Sequence, residues 1–287
     1  MQLHKLESTD AFIMFDLADA PAVGVARQAP KVLRDGAELL ARSTTYAAAS
    51  FGLAIGGGSA GINAKPDDRD AAVAAFLEEV AELVQSGRWL PGPGLGIRPE
   101  ELAVLGRPAE RAAAFDQTTA GESAVAAALG ALGSLDGRRV AIVGSGPLAE
   151  AAAASASANG ATPEPQAGFD ADCDALLVAG KAGALEHDLA GTVKAKVVVP
   201  LTAVPVTARA LAVLGRAGVV VVPDYLATAA PLLAAVDPDG GDPAERVHNA
   251  VAALANEGTN LWMAATTNAE AHLATWQDAL PFGRPLA

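Results

Sequence analysis

The sequence predicts two α/β domains with a cleft between them. The first, residues 1–122, should hold a mixed sheet; the second, residues 123–287, a shortened, doubly wound parallel sheet. Three observations carry this reading. The apolar runs "ALLVAG" (175–180), "AKVVVP" (195–200) and "GVVVVP" (218–223) suit strands buried on both faces of a parallel sheet. Helical patterns fall between them, at about 183–190 and 205–216. Near residue 120 the composition turns to small residues, beginning with the helix "GESAVAAALGALG". A chain of 287 residues has room for two such units.

Taken in order, "AFIMFD" (11–16) and "PAVGVAR" (21–27) read as short strands. Pro30 opens a helical stretch to about Ser50, with Val32, Leu33, Leu39 and Leu40 on one side. "GLAI" and "GINAK" read as strands on either side of a glycine run, "IGGGSAGI" (55–62). Three consecutive glycines are costly to order and mark a place where something approaches the backbone closely. Asp67 or Asp68 caps the next helix, in which Val73, Phe76, Val80, Leu83 and Val84 recur at a 3–4 spacing until Gly87 stops it. "RWLPGPGLGIRPEEL" (88–102) is turn-rich and leads into a short helix at Pro99. The tail from about residue 225 reads as mostly helical, and its helices are expected to pack back on the first domain.

Composition excludes several functions. Apolar residues make up 51% of the chain but aromatics only 4%, so the core rests on Ala, Val and Leu. The net charge is −13, and Arg138-Arg139 is only a pair, so the clustered cations that nucleic acid requires are missing. Cys173 stands alone, which excludes a disulfide framework and a cysteine zinc site. His4, His187, His248 and His272 are too scattered to pair as metal ligands on a helix, so no metal is expected. No apolar run of about 18 residues suggests a membrane span, and the N-terminus lacks a signal-peptide pattern. A soluble, cytoplasmic protein is the expectation.

"VAIVGSGPLAEA" carries a dinucleotide fingerprint. Gly144-x-Gly146-x-x-Ala149 follows a strand and opens a helix, which is the context the Rossmann pattern needs. Gly144 allows the tight turn, Gly146 the approach of a pyrophosphate, and Ala149 close packing of helix on sheet. The candidate phosphate contacts are Gly144, Ser145, Gly146, Pro147 and Leu148, at the N-terminus of the helix. Glu164 lies 20 residues beyond Gly144, where an acidic partner for a ribose is expected. Its setting, "ATPEPQ", makes a poor central strand. The next clear strand follows within about ten residues, too soon for the helix and strand of a full nucleotide-binding half. A bound NAD or NADP and a closed, shrunken site are both open readings.

These segments together resemble the glutamate/leucine/phenylalanine/valine dehydrogenases. The matching stretches are "DGAELLARSTTYAAASFGLAIGGGSAGI", "LPGPGLGIRPEEL", "FDQTTAGESAVAAALGAL", "LDGRRVAIVGSGPLAEAAA" and "GVVVVPDYLATAA". The resemblance implies NAD(P)-dependent oxidative deamination of an amino acid, and it adds Thr119 to the cofactor set. It also implies a lysine after the triple glycine, a lysine after the Thr-Tyr pair and an aspartate in the Pro-rich turn. Here those positions hold Ser59, Ala47 and Gly94, spaced 12 and 35 residues apart as in the family. Thr228-Ala229-Ala230 stands where the family carries Asn-Ala-Gly. Serine, alanine and glycine cannot hold a carboxylate, activate water or relay a proton. Catalysis is therefore expected to be lost or strongly altered, leaving a ligand-binding or subunit-type protein. A small molecule in the inter-domain cleft, and a second copy or a related subunit, are the expected partners.

Two other readings stand beside this one. A working amino-acid dehydrogenase needs another lysine, and Lys65 lies six residues beyond Ser59. In an extended strand that is the same face but about 20 Å further along, the place of a solvated strand-end lysine. Gly57-x-Ser59-x-Gly61 also fits the nucleophile elbow of a serine hydrolase, which requires a helix immediately after the serine, whereas "INAKP" reads as extended.

Overall fold

The computed structural model describes residues 1–106, 115–256 and 260–287. Contacts group Met1–Phe115 with His272–Pro285, and Asp116–Ala271 with Leu286–Ala287.

The first unit is built on a five-stranded mixed sheet in the order β1-β2-β4-β3-β5. Its strands are β1 (Gln2–Lys5), β2 (Ala11–Phe15), β3 (Ala22–Ala29), β4 (Gly56–Asn63) and β5 (Trp89–Pro93). β3 runs parallel to β4 and β5, while β2 is antiparallel to β1 and β4. One face carries Ile13, Phe15, Ala22, Ala26, Ala60, Ile62 and Trp89. It is covered by α2 (Arg69–Gln85) through Val73, Phe76, Leu77, Val80 and Val84. The other face takes α1 (Arg34–Ser50).

Four sequence-based expectations change here. β1 was not foreseen. α1 begins at Arg34 rather than Pro30. Trp89–Pro93 is a strand rather than a turn, and its prolines are tolerated because β5 lies at the sheet edge. The glycine run does not separate two strands but lies inside one, β4. The reason is steric. A Cβ on Gly57 would sit 1.8 Å from the Ala41 carbonyl oxygen of α1, and one on Gly24 would sit 2.0 Å from the Gly58 oxygen. The helix thus rests on the strand backbone. Thr45 fastens the contact: Gly57 N–H donates to its Oγ1 at 2.9 Å, and that hydroxyl donates to Ala41 O at 3.2 Å.

A buried ion pair ties the far tail to this unit. Arg42 Nε donates to both Asp16 oxygens at 2.8 Å, and its Nη1 donates to the carbonyls of Phe282 and Gly283.

The second unit holds an all-parallel sheet in the order β10-β9-β8-β6-β7. Its strands are β6 (Arg139–Val143), β7 (Thr162–Pro165), β8 (Ala175–Val178), β9 (Val197–Pro200) and β10 (Val220–Val221). This is the doubly wound order with its third strand missing. β7 connects to β8 through residues 166–174, which contain no helix or strand. In place of that helix, Ala167, Phe169 and Ala171 pack against the apolar face of the sheet, beside Ala141 and Leu176. The proline-flanked Glu164 segment is accommodated as the edge strand β7. β10 is shorter than the sequence suggests, as is the helix expected at 183–190, which forms only over α6 (His187–Ala190).

Around the sheet lie α4 (Gln117–Leu132), α5 (Pro147–Ala158), α7 (Ala208–Arg216), α8 (Asp224–Ala227), α9 (Ala230–Val236), α10 (Pro243–Asn256) and α11 (Leu261–Leu273). The helical reading of the tail at 257–259 lies outside the described residues. Small residues let the helices touch: a Cβ on Gly121 would sit 2.7 Å from Ala152 N, and one on Gly130 2.6 Å from His248 O.

Gly57→Ala tests the close contact of α1 and β4. Overpacking of this kind costs about 1–3 kcal/mol or more, so a marked fall in melting temperature is expected. An unchanged melting temperature would remove the contact.

Candidate functional site

On the α1 side of the first sheet, β4 presents small residues beside β3, α1 and the loop after β5. Gly57, Ser59 and Gly61 alternate along β4. β3 contributes Arg27, whose register partner is Gly61. α1 contributes Ala47, one turn beyond Thr44, and Thr44 Cβ would lie 2.9 Å from a Cβ on Gly57. Gly94 follows β5, and a Cβ there would meet Ala26 O at 2.7 Å and Arg27 Cγ at 2.9 Å.

Among the described residues, two polar groups on this face find no partner. Ser59 is 1% exposed, and its buried hydroxyl makes no hydrogen bond to a described residue. Nε and Nη2 of Arg27 are also buried and unpartnered, although the residue as a whole is half-buried. Burial pushes the Arg27 guanidinium down from its ordinary value. Arg42, by contrast, is held by Asp16 and two carbonyls. Sequence reasoning passed over Arg27. Its signal was present: in "AVGVARQA" it falls in phase with Val23 and Val25, the residues facing α1.

The loop carrying Gly94 is held from below. Ile97 N–H donates to Gly94 O at 3.1 Å, and Gln28 N–H to Leu95 O at 2.7 Å. Arg69 reaches Gly96 O at 2.6 Å and both oxygens of Glu101 at 2.7 and 2.8 Å. Glu101 also caps the short helix α3 (Pro99–Leu102), accepting from Arg98 N–H at 2.8 Å. Arg69 is the first cause of a Glu101 carboxyl lowered to about 2, and the bonds from Arg98 add to it.

The serine-elbow and Lys65 readings do not survive this geometry. Ser59 lies inside β4 opposite Met14, not at a strand-to-helix turn. Lys65 is exposed beyond the end of β4, before a short 3-10 turn at Pro66–Asp68.

In the second unit, Gly144 and Gly146 form the turn from β6 into α5 with φ of 113° and 90°. A Cβ on Gly144 would meet Ala179 Cβ at 2.8 Å, so the first glycine is required by the neighbouring strand end. A Cβ on Gly146 would meet nothing within 4 Å. The N-terminus of α5 has no side-chain cap, and Pro147 occupies its first turn. This open glycine before uncapped N–H groups fits a pyrophosphate. Ser145 and Pro147 are exposed and Leu148 is half-buried. Glu164 is exposed on the edge strand opposite Ala141. Thr119 lies in the first turn of α4, its N–H donating to Asp116 Oδ1 at 2.6 Å. Among the described residues no group of three or more His, Cys, Asp or Glu could hold a metal ion, and no helix is long and apolar enough to cross a membrane.

Residues 1–110 match the family model of the Glu/Leu/Phe/Val dehydrogenase dimerisation domain. The resemblance to that family is shown. Among solved structures, the hetero-hexameric glutamate dehydrogenase of Thermus thermophilus, in a leucine-bound form, is 22% identical. It covers 90% of this chain and 82% of its own at a TM-score of 0.72. L-tryptophan dehydrogenase of Nostoc punctiforme is 20% identical and covers 97% of both chains at 0.69. Glutamate dehydrogenase of Plasmodium falciparum is 12% identical and covers 94% of this chain and 80% of its own at 0.72. No curated protein matches. The fold is that of the two-domain amino-acid dehydrogenases.

Ala47 and Ser59, at the positions where the resemblance implies lysines, are buried and uncharged, and Gly94 stands where it implies an aspartate. Thr228-Ala229-Ala230 joins α8 to α9, where Thr228 Oγ1 donates to Asp224 O and Ala230 N–H donates to Ser123 Oγ.

Glu101 gives a pH test. Its folded pKa is depressed below the ordinary value of about 4.3, so its stabilisation is present above that pH and is lost as pH falls towards about 2. The difference in melting temperature between wild type and Glu101→Gln should be largest near neutrality and shrink on acidification through this window. A difference independent of pH would contradict the role.

Proposed function

We propose that this chain is a ligand-binding, subunit-type relative of the amino-acid dehydrogenases in which oxidative deamination has been lost. The observation that carries the reading is Ser59. After the triple glycine, where the resemblance implies a lysine, stands a buried serine with no base beside it. Ala47 and Gly94 add no ammonium or carboxylate, and Lys65 lies outside the strand. Oxidative deamination needs one cation to hold the substrate carboxylate, a lysine of lowered pKa to activate water and a carboxylate to move protons. Groups that act as a unit leave little chemistry once several are gone.

The nucleotide turn supports retained NAD or NADP binding. A dinucleotide would supply the hydride acceptor when bound. Gly144, Ser145, Gly146, Pro147 and Leu148 would take the pyrophosphate at the start of α5, with Thr119 in the same set. Glu164, a single carboxylate, would accept from ribose hydroxyls, which favours NAD over a 2′-phosphate. Ala47, Ser59 and Gly94 would line the place of a small molecule in the cleft that the resemblance implies. The match to a dimerisation domain and the hetero-hexameric Thermus neighbour support pairing with a second copy or a related subunit, and a soluble protein of the cytoplasm is consistent with this reading.

Absorbance at 340 nm across the common amino acids with NAD and NADP tests the proposal. No NADH or NADPH formation is expected from Glu, Leu, Phe, Val or Trp. The absence of general acid–base help alone is worth about 10²–10⁴ in rate. Clear turnover would overturn the loss of catalysis.

A further inference from the structure

We infer that a cavity at the Asn63 end of β4 binds a small phosphate monoester with an apolar body, through Lys5, Lys31 and Arg34. The inference goes beyond the reading above and rests on neither the cleft nor the loss of catalysis.

The first argument is a built cavity. A hollow of about 510 Å³ lies between the turn after β1, the start of β2, the end of β4 and the segment that leads from β3 into α1. That is the size of a small-ligand pocket. Asn63 fixes two of its walls. Its N–H donates to Asp10 O at 2.8 Å, and its Oδ1 accepts from Val32 N–H at 2.7 Å. The second bond commits the amide oxygen and leaves the amide nitrogen as a donor without an acceptor among the described residues. Asn63 stands five residues beyond Gly58 along β4, and Arg34 thirteen before Ala47 along α1. Those offsets are about 17 and 20 Å, so the cavity is not the place of the triple glycine or Ala47.

The second argument is charge. The chain has 33 acidic and 20 basic residues, and Arg42, Arg69 and Arg98 of this unit are each paired with a carboxylate. Among the described residues Lys5, Lys31 and Arg34 form no ion pair, and all three line the one cavity. The Arg34 guanidinium carbon stands 6.0 Å from the centroid of the Phe12 ring, which also lines it. Asp10 is the one carboxylate in the lining. Asp35, in the first turn of α1, is exposed and lies outside it. Three cations less one carboxylate leave two positive charges, and a hollow with apolar walls focuses their field. The start of α1 adds to it, since Leu33 caps the helix with no side-chain bond and the first N–H groups carry the positive end of the dipole.

The third argument is chemical class. A phosphate monoester carries about −1.5 to −2 at pH 7 and three strong acceptor oxygens. It therefore matches the two net charges and several donors, whereas a monocarboxylate would leave one charge unmatched. Leu6, Phe12 and Val32 are 8%, 4% and 9% exposed and line the hollow, so they offer apolar surface to the organic part of the ester. A nucleic acid would need cations along a longer track.

Calorimetric titration of the full-length protein with phenyl phosphate, inorganic phosphate and benzoate tests this. The variants are Lys5→Gln, Lys31→Gln, Arg34→Gln, their triple combination and Asp10→Asn. Saturable binding of phenyl phosphate is expected. It should be tighter than that of inorganic phosphate, which lacks the apolar body, and of benzoate, which lacks the second charge. Each single loss of a cation should weaken it about 2–5-fold, the scale of an exposed ion pair, and the triple variant about 10–100-fold. Asp10→Asn should tighten it about 2–5-fold, a gain that misfolding cannot produce. The ligand-free melting temperature of the triple variant should not fall, because these cations have no carboxylate to lose. The inference is overturned if the wild type does not bind phenyl phosphate, if benzoate binds as tightly, or if Asp10→Asn fails to tighten binding. It is overturned if the triple variant binds as the wild type does, as it would were the phosphate seated at the Gly146 turn. A lower ligand-free melting temperature in that variant would make the cations structural and overturn it too. Sedimentation with phosphatidylcholine vesicles that carry phosphatidic acid should leave the protein in the supernatant. Vesicle binding that the triple variant loses would make the cavity a headgroup site and overturn the soluble ligand. Turnover of an amino acid by the wild type would sink the loss of catalysis and leave this result standing.

Discussion

The contact between α1 and β4 governs the first unit. A carbonyl of the helix lies so close to Gly57 that no side chain fits between them. That proximity requires glycine at 57 and sets Thr45 as the clasp. It also explains why a costly run of three glycines sits inside a strand rather than in a turn. Gly58 serves the opposite face, where a Cβ would come within 2.9 Å of Trp89 Nε1.

A surface of this kind tolerates few large groups, so the charges that remain on it are informative. Arg42 is fully engaged in holding Asp16 and the tail near Phe282. Arg69 is engaged in holding the Gly94 loop through Glu101 and Gly96. Among the described residues Arg27 Nε and Nη2 have no partner, and the residue lies on the same face of the sheet as Ser59. The unit thus keeps α1 packed on the glycines of β4, and the Gly94 loop packed on Val25, Ala26 and Arg27 of β3. Where the resemblance implies two lysines and an aspartate, the sequence has Ala47, Ser59 and Gly94.

Much of the fold was legible in the sequence where a pattern had one physical cause. The 3–4 spacing of α2 and the apolar runs of β8 and β9 each point to a single environment. So does the glycine turn into α5. The failures arose where two causes compete. Glycine and proline signal turns, yet "GGGSAG" is a strand because a helix lies on it, and "WLPGP" is a strand because it is an edge. Arg27 was hidden because unpaired burial is a property of neighbours, visible only once Gly61 and Gly94 flank it. The missing third strand of the second sheet was legible from the short interval between Glu164 and Ala175. How that interval is spanned was not: Phe169 and its neighbours cover the sheet in place of a helix.

The central claim is that Ala47, Ser59 and Gly94, where the resemblance implies two lysines and an aspartate, leave an amino acid without the groups that oxidative deamination needs. Absorbance at 340 nm with NAD or NADP, comparing the wild type with the variant that combines Ala47→Lys, Ser59→Lys and Gly94→Asp, tests it most directly. The account predicts no reduced cofactor from the wild type with any common amino acid. Clear turnover by the wild type would contradict it.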